Sequence, residues 1–200
     1  MTGVLLYARS RALPLALAGL AGTAAFAMWA ADRLNTYVDP YHRVPIIALA
    51  PLLASAVIGV SLYSAMDELE RTAVRPWWPR RLVQLGALTG LTAALLSLTV
   101  LGHPEVFGPP AAIRNTLGCA GMTAAAAALL GARLSWLPAF GYVTAVYLAS
   151  SGARGRAATV WAWPMQPGAQ PGAWAAALAA FAVGTALYAV RGARPEGPRG

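Results

Sequence analysis

Met66-Asp67-Glu68-Leu69-Glu70-Arg71-Thr72-Ala73-Val74-Arg75-Pro76-Trp77-Trp78-Pro79-Arg80-Arg81 is the one dense run of charge in this chain. It holds three of the seven acidic residues and four of the fifteen basic ones, and apolar segments flank it, Val44 to Ser64 before and Leu82 to Leu101 after. Each flank is long enough, at about 1.5 Å per helical residue, to cross about 30 Å of hydrocarbon. A charged stretch held between two such segments decides the fold class. The chain reads as an all-α integral membrane protein, and its polar runs are the connections on the two membrane faces.

Composition agrees with this reading. Hydrophobic residues make up 58% of the 200 and charged residues only 11%, where soluble domains carry about a quarter charged. All fifteen basic residues are Arg, and with the abundant Ala, Gly and Pro this suggests a GC-rich bacterial genome. The net charge of +8 does not point to nucleic acid, because the arginines sit at the ends of apolar runs, where they anchor to headgroups and set orientation. Cys119, the single cysteine, builds neither a disulfide framework nor a zinc site.

Working outward, Met1 to Ala12 has Val4, Leu5, Leu6 and Tyr7 beside Arg9 and Arg11, a pattern suited to an amphipathic helix along the membrane surface. Six transmembrane helices are expected at 13–31, 44–64, 82–101, 113–131, 134–150 and 172–190, with a polar tail at 191–200. A signal peptide ending near Ala25-Phe26-Ala27 competes for the first span, but the apolar run continues past that site and further spans follow. In the third span Gly86 and Gly90 form a Gly-x-x-x-Gly pattern that lets helix backbones approach, within one subunit or across a dimer. Only Ala132 and Arg133 separate the fourth and fifth spans, which makes them an antiparallel hairpin.

The arginine distribution orients the chain. With the amino terminus inside, ten arginines (9, 11, 71, 75, 80, 81, 133, 191, 194 and 199) are cytoplasmic and five (33, 43, 114, 154 and 156) are outside, so both termini are expected in the cytoplasm of a bacterium whose inner membrane the chain crosses. Arg114 and Asn115 then open the fourth span at the outer face. The Gly-, Pro- and Trp-rich stretch 151–171 lies outside, with Trp161 and Trp163 expected at the outer interface.

A search for chemistry finds little. His42 and His103 are the only histidines and are expected in separate outer loops, as are Asp39 and Glu105; they form no evident catalytic or metal constellation. A phosphate-binding loop requires a Lys, and the chain has none. The expected spans are almost free of ionisable residues, whereas ion-coupled transporters keep such groups on their pathway. The chain is therefore expected to be no enzyme and to hold no cofactor or metal of its own.

On a helix beginning near Ser64, Asp67 and Glu68 reach Arg71 at spacings of four and three, while Met66, Leu69 and Ala73 form the opposite stripe. Pro76 ends that helix by disfavouring helical geometry in Arg75. Arg80 and Arg81, with Trp77 and Trp78, are explained as interface anchors. The acidic residues are not, because acidic residues contribute little to orientation.

This layout resembles the membrane subunit of a type 2 ATP-binding cassette (ABC) exporter. The corresponding parts are an amino-terminal elbow helix (1–12), six spans, a charged coupling helix (64–75), a tight turn at Ala132-Arg133, and an outer segment with short helices (151–171). The resemblance implies that Asp67, Glu68, Leu69, Glu70 and Arg71 dock a separate ATPase subunit, which binds the ATP and magnesium. It further implies pairing with a second copy, or a related membrane subunit, and export of a peptide, lipid-like or drug-like substrate. A non-transporting membrane scaffold that recruits a cytoplasmic partner, and a lipid-directed enzyme using the outer loops, are the rival readings.

Overall fold

Away from water a backbone must satisfy its own hydrogen bonds, and each of the six apolar segments is accordingly helical. The computed structural model describes residues 13–37, 44–63, 77–100, 108–149 and 155–195. They form α1 (Leu13–Tyr37), α2 (Val44–Ser61), α3 (Trp78–Thr99), α4 (Pro109–Leu130), α5 (Trp136–Ala149), α6 (Arg156–Trp161), a 3-10 turn (Trp163–Met165) and α7 (Pro171–Arg191), with no strand among them. Three of these helices are long and apolar enough to cross a membrane, over Leu13–Ala30, Trp78–Thr99 and Pro171–Arg191; shorter apolar helices cover Ala48–Ser61 and Trp136–Ala149. The protein is thus an all-helical membrane protein in its described parts. The expected elbow and coupling helices, 1–12 and 64–75, lie outside the described residues.

Proline sets several helix starts. Pro79, Pro109 and Pro171 stand in the first turns of α3, α4 and α7, where the missing N–H would have had no helical partner. This advances α3 and α4 by four residues each relative to the expected spans. The α4–α5 connection is also longer than the two residues expected. Helix α4 stops at Leu130, Gly131 adopts φ 100° with its N–H on the Ala127 carbonyl at 3.1 Å, and α5 begins only at Trp136. A positive φ of this kind is open to glycine because it has no Cβ.

Helix α4 is the axis of the bundle, packed against α2, α3, α5 and α7. Fourteen of its residues are buried, against five in α7, so α4 is solvated by protein and α7 largely by its surroundings. That difference explains the composition of α4. Enclosed on most sides, it carries Arg114, Asn115, Thr116 and Thr123, all buried, whereas the outer helices expose Phe26, Trp29, Val83, Leu98, Val183 and Val190. An apolar exterior this extensive suits lipid rather than water.

The α4–α7 contact is made backbone to backbone. A Cβ on Gly184 would run into the backbone of Gly121, and one on Gly121 would lie 2.5 Å from the Ala180 carbonyl oxygen. Ala173, Ala177, Ala180, Gly184 and Tyr188 recur on one stripe of α7 at helical spacing. The main core cluster joins Leu20 of α1, Ile58 and nearby Leu62, Leu85 and Leu88 of α3, Ala120, Ala124 and Ala127 of α4, and Tyr188.

One end of the bundle gathers the arginines. Arg81 donates to the Ala189 carbonyl at 3.4 Å, and its guanidinium lies over Gly192. Arg194 donates through its backbone N–H to the Ala127 carbonyl at 2.8 Å and through Nη1 to that of Leu129 at 3.1 Å. Arg133 stands on the α4–α5 turn, and Arg80 stacks on Trp77 at 4.7 Å. Gln84 Nε2 donates to the Ser61 carbonyl at 3.0 Å. The end of α2 and the start of α3, which flank residues 64–76, are therefore tied together at this same end.

Candidate functional site

Opposite the arginine-rich end, residues 155–170 fold into the bundle. Helix α6 leads into the 3-10 turn, and Ala162, Trp163 and Pro164 are buried. Irregular backbone in an apolar interior costs several kcal/mol per unsatisfied group, so it persists only where protein supplies donors. Here the bundle supplies five. Arg114 Nη1 donates to the Pro167 carbonyl and Nη2 to that of Gln166, each at 2.7 Å. Asn115 Nδ2 donates to Pro164 at 2.8 Å, Trp174 Nε1 to Gly168 at 2.8 Å, and the Tyr142 hydroxyl to Trp161. The donors come from α4, α5 and α7, so the segment is fixed from three sides.

Arg114 is the centre of this arrangement. Its residue exposure is 0%, and its Nε and Nη2 also donate to Asn115 Oδ1, both at 3.2 Å. Asn115 thereby relays the contact, accepting from the arginine and donating to Pro164. No described side chain is acidic, since all seven Asp and Glu residues fall at positions whose side chains are outside the description. Within the described structure the guanidinium is met by oxygen dipoles alone. A planar fork makes these several contacts at fixed angles, which a lysine ammonium would not reproduce.

Sequence reasoning counts Arg114 among the outer-face arginines at the start of the fourth span; the structure adds that its side chain is buried in the bundle and bonded to Asn115, Gln166 and Pro167. The signal was present in the spacing. Arg114, Gly118 and Gly121 fall at i, i+4 and i+7, one face of a helix, and the two glycines mark that face as the one closest to its neighbours.

Trp163 departs from expectation in the same way. Trp161 is 40% exposed, as a surface ring would be, but Trp163 is only 4% exposed. Its indole fills the space above Gly118, where any Cβ would overlap the ring. It stacks on Tyr142 at 6.1 Å between centroids and packs among Cys119, Val143, Ala173 and Ala177. Gly118 opens a ring-sized slot in α4, and filling it removes more apolar surface than lying at an interface.

The remaining expected sites divide in two. Asp67, Glu68, Leu69, Glu70 and Arg71 lie outside the described residues, as do Asp39, His42, His103 and Glu105. Gly86 and Gly90 are described and exposed, and a Cβ at either meets nothing within 4 Å. Packing within the described subunit is therefore not their role; the close helix approach is made by Gly121 and Gly184. Among the described residues no three His, Cys, Asp or Glu side chains gather as a metal site would require.

Hydroxyl groups on the helices are mostly turned inward. Thr23, Ser55, Ser61, Thr92, Ser97, Thr99 and Thr116 each donate to a carbonyl three or four residues earlier in the same helix, which satisfies them without a partner elsewhere. An apolar cavity of about 420 Å³ opens on the side of the bundle between α1 and α2, lined by Leu15, Gly19, Ala56, Val57, Val60 and Trp136. The arrangement thus contains positioning groups and an apolar groove, but no paired acid and base within the described residues. No protein-family model matches this sequence, and no curated protein or solved structure matches it.

Proposed function

We propose that this chain is a non-catalytic, six-span membrane subunit that couples to a separate ATPase and exports a peptide, lipid-like or drug-like molecule. The observation that carries the proposal is the pairing of the α2 end with the α3 start at the arginine-rich end of the bundle. It gives the acidic run 67–70 its setting: the segment leaves and rejoins the bundle at the face that the excess of arginine marks as cytoplasmic. Acidic residues add little to orientation, and a docking contact gives them a purpose.

Two further features support the reading. Helices occupy all six apolar segments, as a six-span bundle requires. Arg114 and Asn115 of α4 are committed to holding residues 164–167, so this buried guanidinium serves structure rather than ion movement, which accords with energy supplied by a separate ATPase. The insert 155–170 then faces the outer side, and the subunit works as a dimer with two ATPases.

Co-expression with the candidate ATPase tests the docking. Removing one partner of a buried hydrogen-bonded charge pair costs about 2–5 kcal/mol, so Glu68→Ala or Glu70→Ala is expected to abolish co-purification and the stimulation of ATP hydrolysis. Unchanged association together with unchanged stimulation would sink the proposal and favour the scaffold reading.

A further inference from the structure

We infer that the headgroup layer of the bilayer dips about 10 Å into the arginine-rich end at the turn between α4 and α5, so that the flank formed by α2 and α5 meets a locally thinned membrane. The inference is independent of any coupling to an ATPase. Two contacts set the level of the other helix ends. Arg81, three residues into α3, donates to Ala189 near the end of α7, and the Arg194 N–H just past α7 donates to Ala127 in the last turn of α4. The start of α3 and the ends of α4 and α7 are therefore level. Helix α5 starts further in. A Cβ on Gly59 would overlap Ser135 Oγ and lie 2.7 Å from Thr123 Cγ2, which puts Ser135, the residue before α5, beside Thr123. Thr123 stands seven residues short of Leu130, where α4 ends, a distance of about 10 Å along a helix axis.

Two observations agree with this offset. Helix α5 has 14 residues against 22 in α4, a deficit of about 12 Å that the inward start accounts for. The last turn of α2 is recessed as well, since the Ser61 carbonyl accepts from Gln84, six residues into α3.

What stands at that depth does not suit hydrocarbon. Residues 131–135 are not helical, and non-helical backbone at membrane depth persists only inside protein or against water. Gly131, Ala132 and Ser135 are buried in protein, but Arg133 and Leu134 are exposed, so the medium that meets them has to be polar. Headgroups fit better than a protein-walled channel, because apolar surface resumes at once. Leu137 and Phe140 are exposed on the following turns of α5. Trp136, edge-on to Phe140 at 5.8 Å, stands at the boundary, where indole rings settle.

Cysteine reactivity tests the dip. The full chain carrying Cys119→Ala, which removes its single thiol, is placed in nanodiscs of mixed phosphatidylcholine and phosphatidylglycerol, so that both faces meet the buffer. Leu134→Cys, Val83→Cys and Val183→Cys are then made one at a time, all at exposed positions. Val83 lies five residues inside the start of α3 and Val183 eight inside the end of α7, about 8 and 12 Å, so they bracket the depth of Leu134 elsewhere on the bundle. A charged, membrane-impermeant maleimide is expected to modify Leu134→Cys about tenfold faster than either, because the reacting thiolate is a charge that hydrocarbon excludes. If Cys119→Ala disturbs the fold, the buried Cys119 is kept and its own rate subtracted.

In a flat bilayer Val83→Cys, the shallowest of the three, reacts fastest, and that order would overturn the inference. Leu134→Cys as slow as Val183→Cys would overturn it as well, by showing the turn covered by another segment of the chain. A small fluorophore coupled at the same positions identifies the polar layer: nitroxide carried on the phosphatidylcholine headgroup is expected to quench it more strongly at Leu134→Cys than at Val183→Cys. Fast modification without that extra quenching would replace the dipped headgroups by a water-filled vestibule of the protein and so reject the inference.

Discussion

The α4–α7 contact and the α1–α2 contact both join small-residue faces of apolar helices, yet one is sealed and the other leaves a cavity of about 420 Å³. The difference lies in what stands opposite each glycine. Gly121 faces Gly184, so two backbones touch with no side chain between them; Gly19 faces Val57, whose branched side chain holds the helices apart and leaves space on either side. A glycine brings helices together only as far as its counterpart permits. A glycine set against a branched side chain, as Gly19 is against Val57, leaves an opening rather than a sealed joint.

The strongest way to break this comparison is to place a side chain in the sealed joint. Gly184→Leu has nowhere to go, because the obstacle is the Gly121 backbone and not a flexible side chain. We predict a loss of about 4–5 kcal/mol, the upper end for single substitutions, seen as failure to recover monodisperse protein or as early unfolding in a detergent titration. Retained stability would show that α4 and α7 do not meet backbone to backbone.

Arg114→Met asks how much of the sealed side depends on the insert. It removes donors from the partly buried Gln166 and Pro167 carbonyls, and a fully buried group left unsatisfied costs about 1–3 kcal/mol. We expect a net loss of about 2–3 kcal/mol, with residues 155–170 becoming accessible to protease before the rest of the bundle. Arg114→Lys should recover little of it, because one ammonium cannot span both carbonyls. Full recovery by lysine would mean that charge, and not the fork, matters.

The smallest effect is expected on α3. Gly86→Leu and Gly90→Leu enter open space, so the isolated subunit should keep its stability within about 0.5 kcal/mol. A thermal shift beyond that range in the monomer would place an unsuspected element against this face, while a change confined to self-association would assign the face to a second copy.

How far the sequence could be read follows from the same physics. Helical segments were legible because uninterrupted apolar length leaves the backbone no other solution, and their starts were sharpened by Pro79, Pro109 and Pro171. Depth was not legible. Arg114 sits next to a polar connection in the chain, as do the anchoring arginines, and adjacency alone does not tell a headgroup contact from a buried one. Trp163 likewise shares its sequence surroundings with Trp161, and only Gly118, some 45 positions earlier (163 minus 118), separates their fates. Gly86 and Gly90 matched a known packing pattern, but a pattern on one helix says nothing of what faces it.

The bonds of Arg114 also set an order of events during synthesis. Its carbonyl partners are made 52 and 53 residues later, after the residues of α5 and α6 have been added. Until then the described partners of Arg114 are reduced to the Oδ1 of Asn115, and α4 has neither the joint with α7 nor the ring of Trp163 in its slot. The axis of the bundle is therefore the last helix to settle, and the carboxy-terminal quarter of the chain acts as the closing element that the earlier helices wait for.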